Sequence, residues 1–228
     1  MQRALEALHA YRNGAFPMAG ARDEQDHDEV RYYIAEPRAV FPLDGLHVPR
    51  SLRQLVRSKR FRITSDAAFE RVVRLCRDTR LPEPSPHADD DEGDAGTWIN
   101  DEILEIATTL HALGVAHSVE AWLDDALVGG LYGMAIGAVF CGESMVSLPD
   151  IGGSGASKVC LVHLVNHLRT RGFALLDAQI ISDHTRSLGA IEIPLDQFLE
   201  TLERERDREI DWHASNVSIV PPITNNIV

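Results

Sequence analysis

The chain has 228 residues, and no run of about eighteen apolar ones occurs in it. A helix needs roughly that length to cross a bilayer, so a membrane span is not expected. The opening residues, MQRALEALHAYRNG, lack the apolar core of a secretory signal. Cysteine is scarce: Cys76, Cys141 and Cys160 are dispersed and unpatterned. That excludes a zinc or disulfide framework and fits a reducing, cytoplasmic setting. Basic residues are in deficit, 22 against 35 acidic ones, giving a net charge of −13. Taken alone, that balance argues against a nucleic-acid partner. Internal repeats are missing as well.

Two ligand-binding motifs are present only in part. His163 and His167 stand one helical turn apart and could offer two metal ligands. The residues between them are Leu-Val-Asn, without the Glu of a zinc-protease motif, so no metal is expected. Gly152-Gly153-Ser154-Gly155 precedes a helix and could cradle phosphate on backbone N–H groups. The next residues are Ala156-Ser157-Lys158 rather than Gly-Lys-Ser/Thr. Pro149 and Asp150 fall where a coenzyme A site presents Arg or Gln, and a carboxylate beside a pyrophosphate is unfavourable. The glycine stretch therefore reads as a flexible insertion.

What is present is an ordinary hydrophobic fraction of 44% and a length that suits one domain, or one domain plus a small appendage. Charge is unevenly spread. Between Arg50 and Arg80 lie ten Lys or Arg against Asp66, Glu70 and Asp78, a local charge of +7. A basic segment inside an acidic protein can be the footprint of a polyanion, although a solvated helical face is the commoner explanation.

Turn and periodicity signals outline the elements. A short helix ends at Asn13-Gly14, and Ala15 to Met18 leaves it extended. Val30 to Ile34 reads as a strand broken by Pro37. Two basic helices, 50–60 and 66–80, flank a strand from Phe61 to Thr64. Residues 81–96 form a proline-rich acidic loop. Asn100 caps a helix that Gly114 ends, with Ile103, Ile106, Ala107, Leu110 and Leu113 on one stripe. Strands follow at 116–123, 127–136 and 139–143. A helix from Ser157 to Thr170 stops near Gly172, and 173–180 is a buried strand. Arg186 to Gly189 turns, Pro194 opens a last helix, and the tail from Trp212 is irregular. This order resembles a GCN5-type acyltransferase core: α+β, with a mixed central sheet flanked by helices, whose splayed central pair exposes backbone to an acyl donor.

Asp177 and Gln179 alternate within the apolar strand FALLDAQI and so share a face. A buried Asp needs partners. Glu143 ends another strand, so two carboxylates and an amide could converge to hold an amine and pass a proton; a structural hydrogen-bond network is the alternative. Trp98, in GTWI, could stack on a base or simply fill the core.

Several stretches together resemble the bacterial leucyl/phenylalanyl-tRNA–protein transferases: LVGGLYGMAIGAVFCGESM, ASKVCLVHLVNHLRTRGFALLDAQ and HTRSLGAIEIP, with YRNGAFPM, EPRAVFPLDGLHVPRSLRQ, GTWI and LHALGVAHSVEAW. The resemblance runs in order from about Tyr11 to Leu199. It implies a small N-terminal domain, 1–37, and a GCN5-like acyltransferase domain, 38–228. It also implies transfer of Leu or Phe, with Met as a further donor, from charged tRNA to the N-terminal α-amino group of proteins beginning with Arg or Lys. Such marking sends the acceptor to N-degron degradation. No metal or coenzyme is implied, because the aminoacyl ester is already activated. The expected partners are Leu-tRNA, Phe-tRNA and the acceptor protein, and a monomer away from membranes is expected.

The resemblance also assigns roles. Asp177 and Gln179 match a proton-relaying and amine-orienting pair, and Glu143 a carboxylate at the acceptor amine. Phe140, Met145 and Leu164 match an apolar pocket for the amino-acid side chain, with Ser144 beside it. Trp98 matches an aromatic near the terminal adenosine. Arg50, Arg53, Arg57, Lys59, Arg60, Arg74, Arg77 and Arg80 then meet acceptor-stem phosphates, positioning without reading sequence. Met18 stands where the family commonly has Trp, and Ala107 where it has Tyr. Two other functions suit the same residues: a coenzyme A-dependent N-acetyltransferase, and a tRNA- or degron-binding module without turnover.

Overall fold

The structure is a computed structural model, and it describes residues 1–19, 29–79 and 98–213. The acidic loop expected at 81–96, and Arg80, lie outside the described residues. Helix α1 (Gln2–Tyr11) leads into a two-stranded antiparallel sheet, β1 (Phe16–Ala19) and β2 (Val30–Tyr33). Strand β3 (Arg38–Phe41) follows, then α2 (Arg50–Arg57), β4 (Arg62–Ser65) and α3 (Phe69–Asp78). After α4 (Asp101–Ala112) comes a meander of β5 (Ala116–Leu123), β6 (Ala126–Ile136) and β7 (Val139–Ser147). The chain closes with α5 (Ala156–Arg171), β8 (Leu175–Gln179), α6 (Asp183–Ser187), β9 (Ile191–Ile193) and α7 (Leu195–Glu205).

The seven-stranded sheet has the order β4-β5-β6-β7-β8-β3-β9. Every pairing in it is antiparallel except β7 with β8. One buried cluster joins the sheet to α1, α3, α4 and α7 through Ala7, Val72, Ile106 and Phe198. A second joins it to α2 and α5 through Leu52, Val159, Leu164 and Leu168. Helices thus cover both faces, and the α+β class with a mixed, helix-flanked sheet is the one found.

Local signals explain the helix ends. Asn100 Oδ1 accepts from the Ile103 N–H at 2.9 Å, meeting one of the donors a helix start leaves open. Gly172 ends α5 in the left-handed region at φ 79°, where a residue without Cβ has no steric penalty. Leu113 is the exception to the expected stripe. It lies just past the last turn of α4 and is 48% exposed.

Three elements depart from the sequence expectation, and all three build the site. Strand β3 has no counterpart among the sequence signals; it lies between β8 and β9, directly beside the strand that carries Asp177. The segment after β8 is a short helix and a strand rather than a single turn. Strand β7 continues through Ser147, so Glu143 sits mid-strand and not at its end.

Candidate acyl-transfer site

The parallel pair β7–β8 is short. Its register runs Val139↔Leu175, Phe140↔Leu176 and Cys141↔Asp177, and then pairing stops. Two local events end it. On β7 the ladder with β6 shifts between Tyr132↔Ser144 and Gly133↔Gly142, leaving Glu143 as the extra residue of a bulge. Bulges bend a strand and re-aim its side chains. On β8, Gln179 has φ 60°, a left-handed conformation that costs a non-glycine residue energy and turns the chain away. The two strands therefore splay.

Side chains span the opening that the backbone leaves. Gln179 Nε2 donates to Glu143 Oε1 at 2.8 Å. Asp177 Oδ1 accepts from the Gln179 backbone N–H at 2.9 Å, fixing the turn that aims this amide. The expected convergence of Asp177, Gln179 and Glu143 is therefore present, although through a bulge and a strained residue rather than two regular strands.

Arg38 of β3 completes the group. Its Nε donates to Asp177 Oδ1 at 2.8 Å and its Nη2 to Asp177 Oδ2 at 2.6 Å. Its Nη1 donates to the Gly14 carbonyl at 2.9 Å. The guanidinium carbon lies 5.0 Å from the Phe16 ring centroid and 4.4 Å from that of Phe198. The two side chains are 1% and 0% exposed. Both oxygens of Asp177 are thus committed to a fixed cation in a bidentate, charge-assisted arrangement.

Glu143 is in the opposite situation. It is half-buried, and burial pushes its carboxyl up from the ordinary 4.5 to about 8. A hydrogen bond from Tyr11 opposes that rise, the charge of Asp177 adds to it, and the Gln179 amide opposes it. Tyr11 is itself buried, and both burial and the nearby Glu143 charge raise its hydroxyl well above its ordinary value. The two neighbouring carboxylates thus sit in different environments: Asp177 is held by Arg38, whereas burial lifts the Glu143 carboxyl toward neutral pH.

Around the splay lies a half-open cavity of about 620 Å³. Because it opens where the sheet parts, residues from both core clusters border it: Phe16, Met18 and Trp98 from one, Phe41, Leu161 and Leu164 from the other. Met145, Ser144, Glu143, Asp177 and Gln179 also border it. Among the described residues the buried Ser144 hydroxyl has no hydrogen-bond partner. Trp98 also borders it, with its carbonyl fixed by the Ala19 N–H at 3.0 Å.

Phe140 requires a correction. It does not border the cavity; it is fully buried against Phe173 and Trp212, with ring centroids 6.4 and 5.4 Å away. It precedes the bulge, where β7 is still paired with β8 and the sheet is closed. The ring also explains Gly133, whose missing Cβ would stand 2.5 Å from Phe140 Cε1 and 2.3 Å from the Cys141 carbonyl oxygen.

The basic segment divides in two. In α3, Arg74 pairs with Glu70 at 2.6 Å, and Arg77 pairs with Asp78 at 3.0 Å and Asp101 at 2.7 Å. In and after α2, Arg50, Arg57 and Lys59 are exposed and form no ion pair among the described residues. Arg53 leans on the Val48 carbonyl at 3.4 Å, and Arg60 Nη2 donates to the Gly152 carbonyl at 2.9 Å. That last contact ties α2 to the turn before α5, whose Ser157 and Leu161 border the cavity. The glycine turn is a fixed structure rather than a loose insertion. The N–H groups of Gly152, Gly153, Ala156 and Ser157 bond to Pro149 O, Leu148 O, Gly153 O and Ser147 Oγ, so these four donors are taken and do not form a phosphate cradle.

Arg38 and Tyr11 carry no role in the sequence reading, and Met18 enters it only as a departure from the family's Trp. Arg38 and Tyr11 lie inside stretches that carry the family resemblance, but nothing in their spacing pairs them with residues more than a hundred positions away.

An apolar cavity opening through a splayed sheet, with a protonatable carboxyl and an oriented amide at its floor, defines a protein built for acyl transfer. Residues 40–203 match the family model described as leucyl/phenylalanyl-tRNA protein transferase. Relatives agree over most of their length. The protein named leucyl/phenylalanyl-tRNA–protein transferase from Paramagnetospirillum magneticum is 43% identical over 220 residues, covering 92% of this chain and 96% of that one. Its namesake from Rhodospirillum rubrum is 48% identical over 188 residues, 82% of this chain and 79% of that one. The chain belongs to the leucyl/phenylalanyl-tRNA protein transferase family. Among solved structures, a ribosomal-protein-alanine N-acetyltransferase from Brucella melitensis biovar Abortus overlays with a TM-score of 0.37 at 16% identity, covering 56% of this chain and 86% of that one. No helix among the described residues is long and apolar enough to cross a membrane.

Proposed function

We propose that the chain transfers leucine or phenylalanine from aminoacyl-tRNA to the N-terminal α-amino group of a protein, with acceptors that begin with Arg or Lys and are thereby marked for degradation. The observation that carries this reading is the Glu143 carboxyl on the wall of the cavity, accepting from Gln179 Nε2 at 2.8 Å, with burial pushing it up to about 8.

Acyl transfer to an amine needs a neutral nucleophile, a positioned carbonyl and a base. A free α-amino group titrates at about 7.7–8.0, so near neutral pH part of it is already neutral. The amine attacks the ester carbonyl carbon, and the C–N bond forms. Glu143, as carboxylate, takes the proton that the nitrogen sheds and returns it to the ribose oxygen as the C–O bond breaks. A group that must first accept and then donate works best with a pKa near ambient pH. The Gln179 amide orients Glu143, and Asp177, fixed by Arg38, orients Gln179. In this reading Asp177 is a positioning residue and not a proton relay.

Met145, Leu164, Leu161 and Phe41 receive the apolar side chain of the donor amino acid. Discrimination there is worth roughly 1–3 kcal/mol per methylene. Trp98 on the cavity wall stacks on the terminal base, and Arg50, Arg57 and Lys59 meet acceptor-stem phosphates. The deciding experiment follows radiolabelled Leu or Phe from tRNA to a peptide with N-terminal Arg. Transfer to that peptide, and none to its acetylated counterpart, is expected. No transfer where a known transferase works would overturn the proposal.

A further inference from the structure

Beside Trp212, which packs on both His117 and Phe140, three distant parts of the chain bring metal-ligating groups together. Asp66 lies in the turn after β4, His117 on β5, and His213 beyond α7. Asp66 Oδ2 is 2.8 Å from His117 Nδ1 and 3.1 Å from His213 Nε2, and one ligand atom from each residue lies within 4.8 Å of the other two. We propose that Asp66, His117 and His213 form a site for a divalent transition cation of the zinc class, apart from the transfer chemistry.

The surroundings fit a built site. Asp66 adopts φ 56°, a left-handed conformation costly for a residue with a Cβ. Its Oδ1 is anchored by the Ser118 N–H at 2.8 Å, which leaves Oδ2 facing both imidazoles. The His117 ring is locked by stacking on Trp212, with centroids 4.2 Å apart and planes 6° from parallel. Trp212 is in turn pinned by its Nε1 donating to Ser65 Oγ at 2.9 Å, which sets the position of the next residue, His213. Anchoring of the carboxylate and restraint of the ring are the supports that orient metal ligands in known sites.

The chemistry and spacing also fit. Two imidazoles and one carboxylate are a common zinc set, completed by water. Ligand atoms about 2.0–2.2 Å from a tetrahedral ion stand roughly 3.3 Å from one another, close to the two distances to Asp66 Oδ2. His213 is 64% exposed, so the fourth position faces solvent. Without metal, the same atoms are satisfied as two imidazole N–H groups donating to one oxygen. Binding replaces those two hydrogen bonds by three coordinate bonds and fastens the segment after α7 to β5. Cross-links that close long loops remove the most chain entropy.

The test uses the full chain, stripped with a chelator and titrated with Zn²⁺ by calorimetry and thermal melting. One zinc per chain and a rise in Tm are expected. Losing an outer-shell partner alone weakens metal sites about 10–100-fold, so His213→Ala, at an exposed position, should weaken binding at least about tenfold. Asp66→Asn should do the same, and Co²⁺ should give the visible absorption of a four-coordinate ion in the unsubstituted chain only. Aminoacyl transfer should be the same with and without zinc. Uptake that is absent, not one-to-one, or unchanged in His213→Ala would overturn the proposal, because zinc would then be held by surface histidines or not at all. Transfer that tracks zinc occupancy would overturn its separation from the transfer chemistry.

Discussion

Arg38 and Asp177 lie on adjacent strands 139 positions apart in sequence, and each holds the other out of reach of solvent through two hydrogen bonds of 2.8 and 2.6 Å. The pair is the frame behind the reactive carboxyl. Desolvating two charges is offset only while both remain.

Removing either partner should therefore be costly. Arg38→Met or Asp177→Ala leaves one buried charge uncompensated, a loss of about 3–5 kcal/mol. Urea denaturation should register it as a fall in midpoint. The double substitution should lose less than the sum of the two, since each single change strands the other's partner. Additive losses would show that the pair is not coupled.

Glu143 should leave its mark on the pH profile of transfer. Below about pH 8, kcat/KM should rise with a log–log slope near two in the unsubstituted protein, because the amine and Glu143 must both lose a proton. In Glu143→Gln only the amine ionisation remains, so the slope should fall to near one while the rate drops. An unchanged slope would remove Glu143 from the chemistry.

The same residue should couple stability to pH in the direction opposite to an ordinary surface carboxylate. Its folded value, about 8, lies above the ordinary 4.5, so the folded state holds a proton that the unfolded state has released. Its contribution is fully present below the ordinary value and is lost as pH rises through the folded one. Tm of the unsubstituted chain should thus decline relative to Glu143→Gln across that window. A flat difference would contradict the shift.

Salt dependence should separate the two halves of the basic segment. Each phosphate contact contributes about 0.7–0.9 to the slope of log affinity against log salt. Replacing Arg50, Arg57 and Lys59 together should reduce the slope for aminoacyl-tRNA by about two to three. Arg74→Ala should change it little, because Glu70 already occupies that guanidinium. Equal effects would place the tRNA on α3 as well.

Much of the fold could be read from local chemistry. The Asn100 cap, the Gly172 stop, the meander and the alternation of Asp177 with Gln179 are written within a few residues of where they act. What could not be read depends on distance or on a break in regularity. Strand β3 is four residues long and begins with a charge, so period and composition do not announce it. Arg38 in a sheet interior makes sense only beside a partner far along the chain. Charge counting alone treats α2 and α3 alike, and the ion pairs to Asp78 and Asp101 set them apart. Phe140 and Met145 are five positions apart, and regular alternation would put them on opposite faces. The bulge at Glu143 brings both to the α5 side, where Met145 meets the cavity and Phe140 stays behind closed backbone.

That bulge makes β7 a sentence read in two frames. Residues before Glu143 address the core in one phase and residues after it in the other, so the strand tolerates substitution far better than insertion or deletion. Losing a single residue between Gly142 and Ser144 would merge the frames and exchange Met145 with its neighbours across the sheet. The amino-acid pocket can therefore be retuned one side chain at a time, but its outline is fixed by where the count slips.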